Sequence, residues 1–358
     1  MRSKHRRKRA LPGKFFLLFL HNELTSGLFT IIMVVQKITS EEPYMYYIGV
    51  DLGGTNIAIG IMNEKFQLVS KGSTPTPAND PQGIVKAMGA LCRQLTEEAG
   101  IPFSEIAYAG IASPGIVDRA AGEIVYANNI NFHHFPLSKL LMEEIPLRAV
   151  YLENDANAAA LGEAKAGAAR GAKNSVMITL GTGVGGGIII DGQVYMGSNC
   201  AAGELGHIVI EKGGRPCTCG RKGCWEAYSS ATGLIRMTKE KMEACPDSKM
   251  HERAAKDGKV SGRTAFDMSR EGDKAAKEVV DMYISYLACG IGNLINIFQP
   301  EILVIGGGIS GEKENLLAPL RPLMQTESYG GGVVKATELK IAELGNDAGI
   351  IGAACLGL

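Results

Sequence analysis

Two glycine- and threonine-bearing turns, placed alike in two successive strand meanders, constrain this 358-residue chain more than any other feature. The first, Asp51-Leu52-Gly53-Gly54-Thr55-Asn56, joins the β-patterned runs Tyr46–Leu52 and Ile57–Asn63, and a third run, Gln67–Thr74, follows. The second, Leu180–Gly187, packs five glycines into positions 181–187 between Ser175–Leu180 and Gly186–Ile190, with Gln193–Met196 after it. Glycine at such density costs conformational entropy that an ordinary hairpin avoids, and close approach of backbone N–H groups to an anion gives a reason for it. Asp51, at a strand end, is placed to hold a metal-bound water near phosphates. Taken alone, Asp51–Asn56 also reads as a plain hairpin turn. Neither turn ends in the Gly-Lys-Ser/Thr of a Walker loop. Two such turns facing each other could clamp a polyphosphate.

The order after each meander supports a duplication. A helix over Pro81–Ala99 ends at Gly100, a suitable residue for a left-handed cap. A strand (Ile106–Ala112), a Ser113-Pro114-Gly115 turn, a strand with its loop (Ile124–Asn131), a helix (Leu137–Glu144), a strand (Ala149–Glu153) and a helix from about Ala156 follow. The second meander leads into a cysteine-bearing insert and several helices, among them Asp273–Phe298. A strand, Ile302–Ile305, then runs into Gly306–Gly308, and a helix (Leu316–Gln325), a strand (Leu339–Leu344) and a helix (Ala348–Leu356) close the chain. The pattern predicts two related α/β lobes around a central cleft, 45–158 plus 345–358 as the small lobe and 159–344 as the large one.

Charge separates the remainder from the start. Residues 1–44 carry eight basic and three acidic groups, a net of +5, and the rest carries 29 and 34, a net of −5. A mildly acidic body is a poor nucleic-acid surface, because such binding rests on clustered Lys and Arg. The apolar runs Phe15–Leu20 and Leu28–Val35 are each too short to span a bilayer and are interrupted by His21, Asn22 and Glu23. No membrane partner is expected, and 1–44 is expected to be a disordered or non-native extension ahead of a natural start at Met45. With eight cysteines in a long chain and no even framework, reduced thiols and a cytoplasmic location are expected.

Three further clusters carry chemistry. Asp155, in Glu153-Asn154-Asp155-Ala156-Asn157, fits either a helix N-cap or a carboxylate that takes a hydroxyl proton during phosphoryl transfer. His207, Cys217, Cys219 and Cys224 supply one imidazole and three thiols, a complete tetrahedral set for a structural zinc; three free loop thiols are the plainer reading. Glu204 and Glu226 flank that knuckle as substrate carboxylates or as solvated surface groups. Gly307 and Gly308, between a strand and a helix, suit a nucleotide near a helix N-terminus.

Together these motifs resemble the ROK family of sugar kinases and repressors, in the actin/hexokinase/Hsp70-like ATPase superfamily, from about Tyr46 to the C-terminus. The resemblance implies a two-lobed actin-like (ribonuclease H-like) fold with duplicated lobes, ATP with Mg²⁺, structural Zn²⁺ and a homodimer. It makes Asp51, Gly53, Gly54, Thr55 and Asn56 the first phosphate loop, Gly181, Thr182, Gly183 and Gly185 the second, and Gly307 and Gly308 the adenosine site. Asp155 would be the catalytic residue, with Gly115, Asn129, Asn154, Asp155, Glu204, His207 and Glu226 around the sugar. His207, Cys217, Cys219 and Cys224 would hold zinc. The expected activity is ATP-dependent phosphorylation of glucose at its 6-hydroxyl. Another hexose or an N-acetylhexosamine (N-acetylmannosamine, N-acetylglucosamine, allose, fructose) is the nearest alternative. Repressors of the family carry an N-terminal helix-turn-helix, for which the first 44 residues show no two-helix pattern.

Overall fold

The computed structural model describes Met45–Leu358 apart from Asn128 and Asn129. The expectations for 1–44 and for Asn129 therefore lie outside the described residues. The first half runs β1 (Tyr46–Leu52), β2 (Asn56–Met62), β3 (Leu68–Pro75), α1 (Pro81–Ala99), β4 (Ile106–Ser113), β5 (Ile116–Asp118), β6 (Glu123–Ala127), β7 (Phe132–Phe135), α2 (Leu137–Glu144), β8 (Val150–Asn154) and α3 (Asp155–Lys165). The second runs β9 (Ser175–Leu180), β10 (Val184–Ile190), β11 (Gln193–Val194), α4 (Glu226–Ser229), α5 (Ala231–Ala244), α6 (Met250–Asp257), α7 (Thr264–Arg270), α8 (Lys274–Phe298), β12 (Ile302–Gly306), α9 (Glu314–Glu327), β13 (Glu338–Ile341) and α10 (Ala348–Ala354).

The duplication is visible strand for strand. One sheet has the order β3-β2-β1-β4-β8 and the other β11-β10-β9-β12-β13. In each, three antiparallel meander strands precede two parallel ones, so β1 and β9 occupy the same central place. Their sequences explain the placement. The β1, β2 and β4 runs are apolar almost throughout and buried on both faces, whereas β3 alternates half-buried and exposed residues as an edge strand does. In α1, Asp80 caps the Gly83 N–H, Pro81 opens the first turn and Gly100 closes it at φ 66°, as the sequence predicts.

The last helix of each unit crosses to the other. The α3 helix packs on β10, and α10 packs on β1 and β4. Glycines let the backbones approach at these crossings: a Cβ on Gly49 or Gly110 would run into the backbone of α10, and one on Gly352 into that of α3. Around them a buried cluster that includes Tyr47, Tyr108, Leu161, Met177 and Ile350 joins the two sheets, between an apolar core around Ile48, Ile59 and Phe132 and another around Ile178, Trp225 and Leu287. A small third sheet, β5-β6-β7, sits beside the first unit; the sequence reading places one strand and its loop there, not three strands.

Candidate active site

The first glycine turn is closed and pinned before it meets anything else. The Gly53 N–H donates to the Asn56 carbonyl at 2.9 Å, and the Thr76 hydroxyl, beyond the end of β3, donates to the Gly53 carbonyl at 2.7 Å. Gly54, Thr55 and Asn56 are exposed at its tip. At the end of β1, Asp51 lies against the start of α10, where a Cβ on Gly349 would come within 2.8 Å of its carboxylate. Burial, and then the charge of Asp155 opposite, push the Asp51 carboxyl up to about 6. Burial also raises Asp155 above the ordinary aspartate value, against a hydrogen bond from the Ala156 N–H. Asp51 is half-buried and Asp155 opens to solvent at the helix start, and the two carboxyl groups, near enough for one charge to act on the other, offer the oxygen donors a hard divalent cation takes.

The second turn is held from behind by the helix that follows the knuckle. The Ala231 N–H donates to the Gly181 carbonyl at 2.8 Å and the Thr232 hydroxyl to the Thr182 carbonyl at 2.8 Å. Gly181 faces open space, a Cβ there meeting nothing within 4 Å. Gly307 must be glycine: its φ is 81°, and a Cβ would lie 2.6 Å from the backbone of Leu180. This close approach brings the end of β12 against the second turn, with Gly308 beside open space. A five-residue 3-10 turn, Gly308–Glu312, follows Gly307, and α9 then starts at Glu314, two residues before the Leu316 of the sequence reading.

At the start of α3 the structure corrects one assignment. Asn154, not Asp155, is the N-cap: its Oδ1 accepts from the Ala156 and Asn157 N–H groups at 3.0 and 3.3 Å. Asp155 is the first helical residue, so its carboxylate is free of the capping role. The Asn154 Nδ2 donates to the Gly115 carbonyl at 3.2 Å, which joins two expected sugar contacts directly. Gly115 has φ 95°, and a Cβ there would meet the Tyr126 carbonyl of β6.

His207, Cys217, Cys219 and Cys224 converge, with one ligand atom from each within 4.8 Å of the others. The Cys217 Sγ lies 3.6 Å from His207 Nδ1, and the Cys219 and Cys224 sulfurs are 3.6 Å apart. A tetrahedral zinc with arms of about 2.3 Å has ligand–ligand edges of about 3.8 Å, so the residues present fit such an ion. Gly220 (φ 85°) and Gly223 (φ 80°) make the turns between them. The knuckle is anchored by the wholly buried Trp225, whose indole N–H donates to the Tyr286 carbonyl at 3.0 Å. The other face of the imidazole points outward, with His207 Nε2 3.9 Å from the Glu204 carboxylate. Glu226 bridges the knuckle to the second turn: Oε2 accepts from the Val184 N–H at 3.0 Å and Oε1 from the Thr218 hydroxyl at 3.1 Å.

Several contributors go unread in the sequence: Thr76, Thr218, Gly349, and the ion pair of Arg119 with Glu153 beneath α3. Thr76, Gly349 and Arg119 work through partners distant in sequence, so spacing gives no signal, and Thr218, eight residues from Glu226, lies between two cysteines that draw the attention. A cavity of about 450 Å³ elsewhere, between α8, α9 and the segment 328–339, includes none of the residues above.

The sequence profile of the ROK family matches residues 47–358. A glucokinase of Halalkalibacterium halodurans is 40% identical over 311 residues, 86% of this chain and 93% of that protein. One of Thermotoga maritima is 36% identical over 88% of this chain and 98% of that protein. Among solved structures, a ROK family glucokinase from Streptomyces griseus in complex with glucose and AMPPNP superposes with a TM-score of 0.70 at 36% identity, over 87% of this chain and 98% of that one. The two-lobed, actin-like architecture with its duplicated lobes is thus shared over nearly the full match, and this chain belongs to the ROK family.

Proposed function

We propose that the chain is an ATP-dependent glucokinase that transfers the γ-phosphoryl group of ATP to the 6-hydroxyl of glucose. The observation that carries this reading is the release of Asp155 from the N-cap: a carboxylate open to solvent at a helix start, beside the Asn154–Gly115 bond and close enough to Asp51 for the two charges to interact. The relatives of known name, glucokinases at 36–40% identity over most of the chain, support the same reading.

Asp155 accepts the proton of the 6-hydroxyl as that oxygen attacks the γ-phosphorus and the bond to the departing ADP breaks. Asn154 and Glu204, with the Nε2 of His207, hold the sugar hydroxyls; Gly115 and Glu226 shape the same pocket, and Asn129 is assigned there from the family resemblance. The turns Gly53–Asn56 and Gly181–Gly185 present N–H groups to the phosphates, with Thr55 and Thr182 adding hydroxyls, and Gly307 and Gly308 leave room for the adenosine. Gly181 and Gly308 face open space, the cradle such an approach needs. Fixed dipoles aimed at developing charge do the larger part of the work in such transfers. Mg²⁺, which fits the paired oxygen donors at Asp51 and Asp155, would supply charge neutralisation on the phosphates. Zn²⁺ at His207, Cys217, Cys219 and Cys224 would be structural, holding the imidazole through Nδ1 so that Nε2 stays available to substrate. We assign 45–158 with 345–358 to the small lobe and 159–344 to the large one, closing over the sugar, and propose a cytoplasmic homodimer.

Asp155→Asn keeps size and polarity and removes only the base. Its kcat is expected to fall about 10²- to 10⁴-fold while the glucose Kd stays within a few fold. Turnover assays paired with calorimetric glucose titration check this; near-normal turnover contradicts the role of Asp155.

A further inference from the structure

We propose that Arg119 and Glu153 are a positioning pair that sets the first turn of α3, and with it Asn154 and Asp155, for phosphoryl transfer; the proposal rests on the kinase reading above. Glu153 is the penultimate residue of β8, and only 3% of its side chain is exposed. A carboxylate so buried is unfavourable unless every oxygen is engaged. Here Oε1 accepts from the Asn154 N–H at 2.8 Å and from the Asn157 Nδ2 at 3.0 Å, while Oε2 is matched by charge alone, lying against the Arg119 guanidinium as an ion pair without a hydrogen bond. Glu153 thus grips the backbone of the N-cap residue on one side and the first turn of the helix on the other.

Arg119 comes from a different element. It directly follows β5 in the hairpin that starts at Gly115, the residue whose carbonyl takes the Asn154 Nδ2. Two links therefore run from one hairpin to adjacent residues: Gly115 to Asn154, and Arg119 to Glu153. Their spacing along the hairpin fixes how Asn154 is presented, and Asn154, at φ −63° and ψ 145°, sets where the next carboxylate, Asp155, points. Asparagine or glutamine at position 153 could satisfy the same N–H groups at lower desolvation cost. A charged pair adds something a neutral side chain does not: an attraction in a poorly hydrated setting that ties the sugar-side hairpin to the helix that carries the base. Neither residue reaches the reacting atoms, so each acts through Asn154 and Asp155.

The test is a kinetic series on the full chain. Misplacing a reacting group by about 1 Å costs on the order of 10²-fold in rate. Arg119→Met and Glu153→Gln are each expected to lower kcat by about 10- to 100-fold, with KM for glucose and for ATP within about threefold. The double variant should lose little more than the worse single variant, because the second change removes a link already broken. In Arg119→Ala, low millimolar guanidinium should recover part of kcat, and should do nothing for Asp155→Asn. A merely structural role would lower the melting temperature without rescue and without the split between kcat and KM. Where Arg119→Met fails to fold, Arg119→Gln removes the charge while keeping a polar side chain and supplies the same comparison. Wild-type kcat in folded Arg119 variants, or additive losses in the double variant, overturns the pair and leaves the kinase reading intact. Absence of hexose phosphorylation by the wild type overturns the kinase reading itself.

Discussion

At the scale of single residues, the site is governed by two carboxyl groups that share a small volume. Asp51 is pushed up to about 6 by burial first and by Asp155 second, and burial raises Asp155 as well. The consequence for stability has a definite sign. A carboxyl whose folded-state pKa is raised contributes stability that is fully present below its unfolded value of about 3.9 and is lost as pH rises through about 6. Ligand-free Asp51→Asn, neutral at every pH, is therefore expected to melt above the wild type at pH 8, by an amount on the order of 1–3 kcal/mol, with the gap narrowing toward pH 5. Thermal unfolding at the two pH values checks this; a variant that melts lower at pH 8 contradicts the account. The same residues show how far a sequence can be read. Asp155 and the two turns are legible because their types and order are unusual together. That Asn154 takes the cap, and so releases Asp155, depends on a ψ of 145° that no residue type announces. Arg119 is illegible for a plainer reason: its partner lies 34 positions away, and an isolated arginine on a hairpin reads as surface charge.

At the scale of elements, the hairpins and the knuckle behave as one assembly. Glu226 accepts hydrogen bonds from the second turn and from the cysteine loop at once, and α5 takes two of the turn's carbonyls. A metal that orders the knuckle therefore also steadies the second turn. Stripping the metal with a chelator is expected to raise amide exchange over 207–224 and weaken glucose binding, and metal analysis before stripping should give one zinc per chain. Unchanged exchange and unchanged sugar affinity in metal-free protein contradict that coupling. The long periodic elements, α1, α2, β9 and α8, fall within a residue of where the sequence pattern puts them. The three-stranded side sheet does not, because β5 spans three residues and β7, Phe-His-His-Phe, lacks the apolar–polar alternation that marks a half-buried strand. Of the helices between the knuckle and α8, which the sequence reading does not separate, α4, α6 and α7 are four to eight residues long, too short for a periodic pattern to mark, although α5 is capped by Ser230 and α6 ends at a left-handed Gly258.

At the scale of the whole molecule, the duplicated topology explains why the glycine turns proposed as phosphate sites occur twice. Each sheet opens with an antiparallel hairpin, and in each unit the turn of that hairpin is the glycine turn. The α3 helix packs on β10 and α10 on β1 and β4, so the two units meet through close glycine-permitted backbone contacts set within a buried cluster that includes Tyr47, Tyr108, Leu161, Met177 and Ile350. The zero net charge of the full sequence divides into a body of −5 and a first segment of +5. An acidic body is compatible with ATP, because the proposed phosphate contacts are backbone N–H groups and a metal, with no basic surface required. Among the described residues no helix is long and apolar enough to cross a membrane.

The central claim is that this arrangement phosphorylates glucose with ATP. Turnover of ATP against a panel of glucose, mannose, fructose, allose, N-acetylglucosamine and N-acetylmannosamine, with the glucose product identified by NMR, tests it most directly. The account predicts the highest kcat/KM for glucose and glucose 6-phosphate as the product. A higher kcat/KM for any other sugar on the panel, or phosphate on a different hydroxyl, would contradict it.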